Sequence, residues 1–334
     1  MRAVIYGAGS LGTILGACIT KNGGQIDLVN RNLAHVAALR QNGATVTGTM
    51  QFTQPVTAYT PDEMTGLYDI IFLMTKQQHN PEVVTFLKDF LAQDGVIVTL
   101  QNGLPEPGIA EIVGEDRVLG CTVAWGATMT APGVSELTSS PDSLTFSLGG
   151  LTPEPHPHFQ AVKELLEMMG PVVVEENFIG TRWSKLLINA AFSGMSTVLG
   201  CTFGEAAGPR DSRRIVQALI KECIDVCKAG GIRIEPVQGT DIVKLLDYNG
   251  PVKKAISSLI IPIAIRKHAA LKASMLQDIE HGKKTEVDAI NGAVCAYGRK
   301  VGCPTPYNDK VTQLIHRIES GDLTASRSNL QYFA

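Results

Sequence analysis

Along residues 1–103, short runs of consecutive apolar residues alternate with longer stretches in which apolar residues recur every three or four positions. The short runs are AVIYG (3–7), QIDLVNR (25–31), DIIFLMTK (69–76) and VIVTLQNG (96–103), and SLGTILGACITKNG, LAHVAALRQNG and PEVVTFLKDFLAQDG lie between them. Strands that are apolar on both faces must be covered on both faces, whereas a three-to-four period places one apolar stripe on a helix. The order predicts a doubly wound α/β domain with a mostly parallel sheet. CTVAWGATM, GVSELTS and SLTFSLGG, between 117 and 149, read as closing strands of the same domain. LTPEPHPH (151–158) carries three prolines and reads either as a linker or as a loop before a last helix (159–169) and strand (171–175). From about Ile179 onward the period is helical, with Gly/Pro breaks near 208, 230, 250, 282 and 302–306. The expected organisation is an α/β domain over 1–178 followed by an all-α domain over 179–334.

One helical stretch carries an anomaly. In RWSKLLINAAFSG (182–194), Arg182, Lys185, Asn189 and Ser193 fall on one stripe, while Trp183, Leu186, Leu187, Ile188, Ala190, Ala191 and Phe192 cover most of the remaining circumference. Periodicity alone favours a solvated polar stripe, the rule on amphipathic helices, over a narrow wet row on an otherwise buried helix.

GAGSLG, Gly7 to Gly12, stands where the first strand passes into the first helix. Gly7 permits the tight turn, Gly9 lets backbone approach a pyrophosphate, and Gly12 allows close helix–strand packing. The helix amino terminus meanwhile faces the negative charge. In this context the motif predicts a dinucleotide-binding, Rossmann-type domain. At the end of the second strand an NAD site usually offers a carboxylate to the ribose hydroxyls. Here the chain reads Val29-Asn30-Arg31. A guanidinium pairs with a 2′-phosphate, so NADP is the expected cofactor, the alternative being an arginine merely solvated in a loop.

Composition removes several other classes. With 334 residues, 44% of them hydrophobic, the chain can bury two cores. Seven cysteines without C-x-x-C or zinc spacing suit unpaired thiols in a reducing compartment. A net charge of -3 with scattered Lys/Arg offers no basic stripe to follow nucleic-acid phosphates. The seven histidines show no pairing at metal spacing, and no metal site or histidine chemistry is assigned. SSLIIPIAI (257–265) is too short to span a bilayer, and the strand-like run at Arg2–Tyr6 leaves no room for a signal peptide. A cytoplasmic protein with no membrane partner is expected; a homodimer is admissible, since no feature of the sequence speaks to oligomeric state.

GAGSLG, LMTKQQ around Lys76, QNGLPE around Asn102, RWSKLLIN around Lys185 and Asn189, and SMLQDIEHGKKTEVDAINGAV (274–294) with the following G-x-x-x-G-CPTPYN occur in an order that resembles the ketopantoate reductase family. The similarity runs over essentially the full length, and Ser274 to Asn291 is its most specific part. The resemblance implies NADPH-dependent reduction of 2-dehydropantoate to pantoate on the way to pantothenate and coenzyme A, with the site between a Rossmann domain and a helical domain. It implies Lys185 as the catalytic lysine with Glu286 as its carboxylate partner. Asn102, Asn189, Ser193 and Ser274 fall among the substrate-binding groups. Gly7, Ala8, Gly9, Ser10, Leu11, Gly12, Arg31 and Lys76 are implied on the cofactor side, where Asn102 and Glu286 also count.

Ser193 departs from the pattern, in which a second asparagine stands one turn beyond the first. This leaves open another small 2-keto acid as substrate. A non-catalytic NADP-binding sensor is the other alternative. Hydride addition to a ketone builds charge on oxygen, so the site needs a donor ready to deliver a proton, and a lysine serves if burial and a carboxylate balance its acidity. Without the resemblance Glu286 is an ordinary first-turn carboxylate, with Gly282 breaking the run and Thr285 expected to cap the next helix. Asn102 and Lys76 each follow a strand at the edge where open α/β sheets bind ligands, which is also where ordinary turns occur.

Overall fold

The computed structural model describes residues 1–237 and 239–333; Gln238 and Ala334, the last residue of the expected second domain, lie outside the described residues. The chain forms two compact units, Met1–Gln101 with Pro105–Phe178, and Asn102–Leu104 with Ile179–Ala334.

In the first unit the strands are β1 (Ala3–Tyr6), β2 (Asp27–Val29), β3 (Ala44–Gly48), β4 (Phe52–Gln54), β5 (Thr57–Tyr59), β6 (Tyr68–Leu73), β7 (Leu91–Thr99), β8 (Val118–Val123), β9 (Ala127–Ala131), β10 (Val134–Leu137), β11 (Phe146–Gly150) and β12 (Val172–Val174). The helices are α1 (Ser10–Lys21), α2 (Leu33–Asn42), α3 (Asn80–Lys88), α4 (Glu106–Val113) and α5 (Phe159–Glu167). The main sheet runs β12-β11-β8-β7-β6-β1-β2-β5 and is parallel except where β8 meets β11. Its strands alternate between two buried faces. Ala3, Ile5, Ile70, Phe72, Val96 and Val98 join the core that includes residues of α1, α2 and α5, while Val4, Ile71, Leu73 and Ile97 join the core containing residues of α3 and α4. This double coverage is why those runs are continuously apolar.

Three expectations change here, the first being that β7 begins at Leu91, inside the stretch PEVVTFLKDFLAQDG read as helical, whose helix ends at Lys88. The sequence pattern did not disclose β3, β4 and β5, and β9 and β10 do not close the main sheet. They form a second, four-stranded sheet in the order β4-β3-β10-β9. β4, β5 and β9 have mostly part-exposed positions, so their residues lack the apolar run that marked the central strands. The small sheet contributes Ala44, Val46 and Leu137 to the same core as α1.

The second unit is helical among its described residues, apart from an isolated bridge between Val237 and Thr240. Its helices are α6 (Phe178–Ile188), α7 (Gly194–Leu199), α8 (Phe203–Ala207), α9 (Arg210–Ala229), α10 (Ile242–Leu246), α11 (Pro251–Ala264), α12 (Ser274–Glu280), α13 (Val287–Val301) and α14 (Pro306–Glu319). The longest, α9, buries Ile215, Val216, Leu219, Ile220, Cys223, Ile224, Val226 and Cys227 along one stripe, in the core that also holds Trp183, Leu186 and Leu187. The apolar segment 257–265 lies mostly within α11, and no helix of the described residues is long and apolar enough to cross a membrane.

Candidate functional site

In the first unit the candidate residues gather at the carboxyl ends of β1, β2 and β6. β1 pairs with β2 on one side and β6 on the other, so strand order reverses here, the place where open α/β sheets form a ligand crevice. Gly7 has φ +95, and a Cβ on it would stand 2.6 Å from the Thr75 amide nitrogen. The amides of Gly7 and Ala8 both donate to the Val29 carbonyl at 2.9 Å, which locks the turn to β2. A Cβ on Gly12 would meet Ile5 at 2.9 Å and the Gly7 carbonyl at 3.0 Å, so α1 lies close on β1. Gly9 is different: an added Cβ would meet nothing nearer than 3.9 Å. Gly7 and Gly12 are thus closed in by neighbouring backbone and side chains, whereas the space beside Gly9 is open. The first amides of α1, at Ser10 and Leu11, have no helical carbonyl four residues back and remain available to an anion.

The group after β2 that would be a carboxylate in an NAD site is Asn30. Its Nδ2 donates to the Ala8 carbonyl at 2.8 Å and its Oδ1 accepts the Asn32 amide at 2.8 Å. Asn30 is therefore committed to the turn, and Arg31, exposed, is the next side chain in the chain. Burial pushes the Tyr6 phenol up, against the nearby positive charge of Arg31. Lys76 is exposed and precedes a 3₁₀ turn, Gln77–His79. Sequence reasoning overlooked Gln101 and Asn80. Gln101 donates to the Thr75 carbonyl at 2.9 Å and exchanges two hydrogen bonds with the Asn80 amide at 2.7 and 3.0 Å, tying together the segments that follow β6 and β7. Nothing in spacing or composition marks that pair; only the sheet order makes them neighbours.

Asn102, Lys185, Asn189, Ser193, Ser274 and Glu286 all belong to the second unit. α6 does not continue as a plain α-helix. A π turn spans Asn189–Ser193, and the Gly194 amide reaches the Asn189 carbonyl five residues back. Residues four apart on an α-helix drift by about 40°, whereas a wider turn takes back that drift. Ser193 accordingly stays on the row of Lys185 and Asn189. The row is not uniformly wet: Lys185 and Asn189 are partly exposed, but Arg182 is 1% and Ser193 6% exposed. The two ends of the row are thus buried and its middle is partly exposed.

The π turn is braced from behind. Asn291 Nδ2 donates to the Ala190 carbonyl at 3.0 Å and to Asn308 Oδ1 at 2.9 Å, and Asn308 Nδ2 donates to Glu222 Oε2 at 2.7 Å. The Tyr307 and Asn308 amides also donate to Glu222, at 2.8 and 2.9 Å. Burial pushes the Glu222 carboxyl up, and these donors pull it back. Buried polar chains of this kind are costly to interrupt. Asn291→Ala is expected to lower stability by about 1–3 kcal/mol in urea unfolding, since it strands the Ala190 carbonyl and Asn308 Oδ1; an unchanged midpoint would remove the brace.

Ser274 opens α12 and is exposed. Gly282, at φ +64, ends that helix as expected. Thr285 is not the cap residue: Glu286 occupies that position on α13, and the Thr285 hydroxyl accepts the Val287 amide at 3.2 Å while donating to Glu319 at 2.6 Å. Glu286 is partly buried.

The cysteines are free and mostly buried. Burial pushes Cys18 up to about 11 and Cys295 up to about 12, so these thiols stay protonated near neutrality. Tertiary structure does bring Asp69, Asp94 and His158 within 4.8 Å of one another, which sequence spacing did not reveal. The Arg2 amide donates to Asp69 at 2.5 Å, and Asp94 is 72% exposed with His158 Nε2 at 3.8 Å. Asp69 thus already has a backbone donor, and Asp94 faces solvent.

Residues 3–149 match the family described as ketopantoate reductase PanE/ApbA, and residues 177–319 match its C-terminal domain. A 2-dehydropantoate 2-reductase of Streptococcus pyogenes is 27% identical over 323 residues, covering 96% of this chain and 98% of the relative. One from Pyrococcus horikoshii is 28% identical over 325 residues, with the same coverage. Among solved structures, a PanE/ApbA family ketopantoate reductase from Ralstonia eutropha superposes with a TM-score of 0.81 at 21% identity, covering 96% of this chain and 99% of that one. D-mandelate dehydrogenase, solved with NADH and anilino(oxo)acetate, gives 0.80 at 22%, with the same coverage. At these identities the structural likeness carries the fold alone.

Proposed function

The chain belongs to the ketopantoate reductase family, and from that premise we propose that it reduces 2-dehydropantoate to pantoate with NADPH, a step toward pantothenate and coenzyme A. Lys185 carries the reading. It is a partly exposed lysine one turn from a partly exposed asparagine, on a helix whose neighbouring positions are buried and whose next turn is widened and braced. Rigid support of that kind is what a proton donor needs.

The glycine turn and the α1 amides would hold the dinucleotide, with Arg31 at the 2′-phosphate and Lys76 beside the cofactor. When bound, the nicotinamide supplies the hydride. Lys185 delivers a proton to the carbonyl oxygen as charge builds there, and Glu286 orients that lysine and the nascent hydroxyl. Asn102, Asn189 and Ser274 hold the substrate's polar groups. Truncating Ser274 to alanine is expected to raise the keto-acid KM about tenfold with little change in kcat, as loss of a hydrogen bond to a charged carboxylate should. An unchanged KM would remove Ser274 from the substrate site.

Ser193 favours a second reading, reduction of another small 2-keto acid, because a hydroxyl is shorter than the amide it replaces. Following NADPH absorbance with purified protein and 2-dehydropantoate, alongside aliphatic and aromatic 2-keto acids, separates the two. Turnover of 2-dehydropantoate with the highest kcat/KM supports the proposal. A higher value for another keto acid shifts the substrate, and no turnover of any leaves the non-catalytic sensor.

A further inference from the structure

The Ala8 carbonyl, inside the glycine turn, is the target of three side chains. Asn30 Nδ2 donates to it at 2.8 Å, His35 Nε2 lies at 3.0 Å, and the Thr13 hydroxyl donates at 3.2 Å. His35 is wholly buried. Its other ring nitrogen, Nδ1, lies 2.9 Å from the Gly133 amide nitrogen. A backbone amide can only donate, so Nδ1 is bare and the proton sits on Nε2, where Ala8 and the Thr13 oxygen, 3.1 Å away, share it. Burial also favours the neutral ring, pulling the His35 pKa down. A single imidazole thus joins α2, the Gly133 turn between β9 and β10, and the turn that begins α1.

The peptide plane between Ala8 and Gly9 is rigid, so anchoring its oxygen fixes where Gly9 and the first amides of α1 point. That oxygen carries partial negative charge. Turned outward, it would stand against a pyrophosphate; held inward by three donors, it leaves the open side of Gly9 to the anion.

We propose that His35, with Asn30 and Thr13, is a positioning residue for the dinucleotide site: it holds the Ala8 carbonyl inward and so keeps the glycine turn in its anion-accepting shape. The proposal rests on the reading of that turn as a pyrophosphate site. Because the clamp acts on the part common to both nucleotides, it serves NADPH and NADH equally.

The test compares His35→Leu, which has similar bulk and no polar atoms, with His35→Gln, which can both donate and accept. Binding of NADPH and of NADH is followed by fluorescence titration, and kcat and both KM values by absorbance. His35→Leu is expected to weaken both nucleotides by one common factor, about tenfold or more, with the loss in nucleotide KM rather than in kcat. His35→Gln should recover most of that loss. Wild-type affinity in His35→Leu, a loss confined to NADPH, or a glutamine variant no better than leucine overturns the proposal. Should His35→Leu fail to fold, Thr13→Val removes one donor at nearly constant shape and is expected to weaken both nucleotides about threefold; no change there overturns it equally. Wild-type protein that binds neither nucleotide overturns the pyrophosphate reading itself, before any variant is compared.

Discussion

Lys185→Ala is expected to lower kcat about a hundredfold or more while NADPH binds within about threefold of normal, because a positioned general acid typically contributes two to four powers of ten. The lysine lies on α6, one turn before the π turn that carries Asn189, and both side chains are partly exposed. In the proposed role, removing the amine would leave the carbonyl oxygen without its proton source and without a nearby cation as charge develops. Lys185→Arg separates these two contributions, since a guanidinium keeps the charge but does not release a proton near neutral pH. If proton delivery dominates, arginine should rescue little. Stopped-flow and steady-state rates with saturating NADPH and keto acid make the measurement. Near-normal turnover in the alanine variant would exclude Lys185 from the chemistry.

The second large effect concerns cofactor choice. Arg31→Ala should weaken NADPH about tenfold to a hundredfold and NADH less than about twofold, the range expected for losing hydrogen bonds to a charged group. Asn30, the residue just before it, is folded back onto the Ala8 carbonyl, so the position after β2 that offers a carboxylate in an NAD site carries no negative charge here. Arg31 is exposed, and an exposed ion pair is screened by salt. The preference of the wild type for NADPH should therefore shrink as ionic strength rises, and that of the alanine variant should not. Equal losses of both nucleotides would refute the assignment. The contrast with His35→Leu is direct: one substitution should separate the two nucleotides, and the other should weaken them together.

The strands that position the glycine turn were legible because their segments Ala3–Ile5, Ile70–Leu73 and Val96–Val98 are buried on both faces and apolar throughout. β4 and β5 were not, for they are three residues long and partly exposed, and their ladder partners supply order that their own residues do not announce. The row Lys185, Asn189, Ser193 was legible as a row. Its environment was not, since Arg182 is buried despite its charge and the Ala190 carbonyl inside the π turn accepts a hydrogen bond from Asn291, 101 positions away in sequence.

The sequence by itself determined the alternation of elements, the glycine turn, the absence of a carboxylate after β2 and the order of motifs that marks the family. Those features are local: each depends on residues close along the chain, where periodicity and backbone geometry act directly. Only the tertiary structure decided that Asn30, Thr13 and His35 converge on one carbonyl, that Gln101 locks to Asn80, and that the Glu222–Asn308–Asn291 chain supports the turn beside Lys185. Each of these joins separate elements through side-chain hydrogen bonds that work over about 3 Å. A range that short is met only once packing has brought remote segments together, and no local pattern in the chain records it.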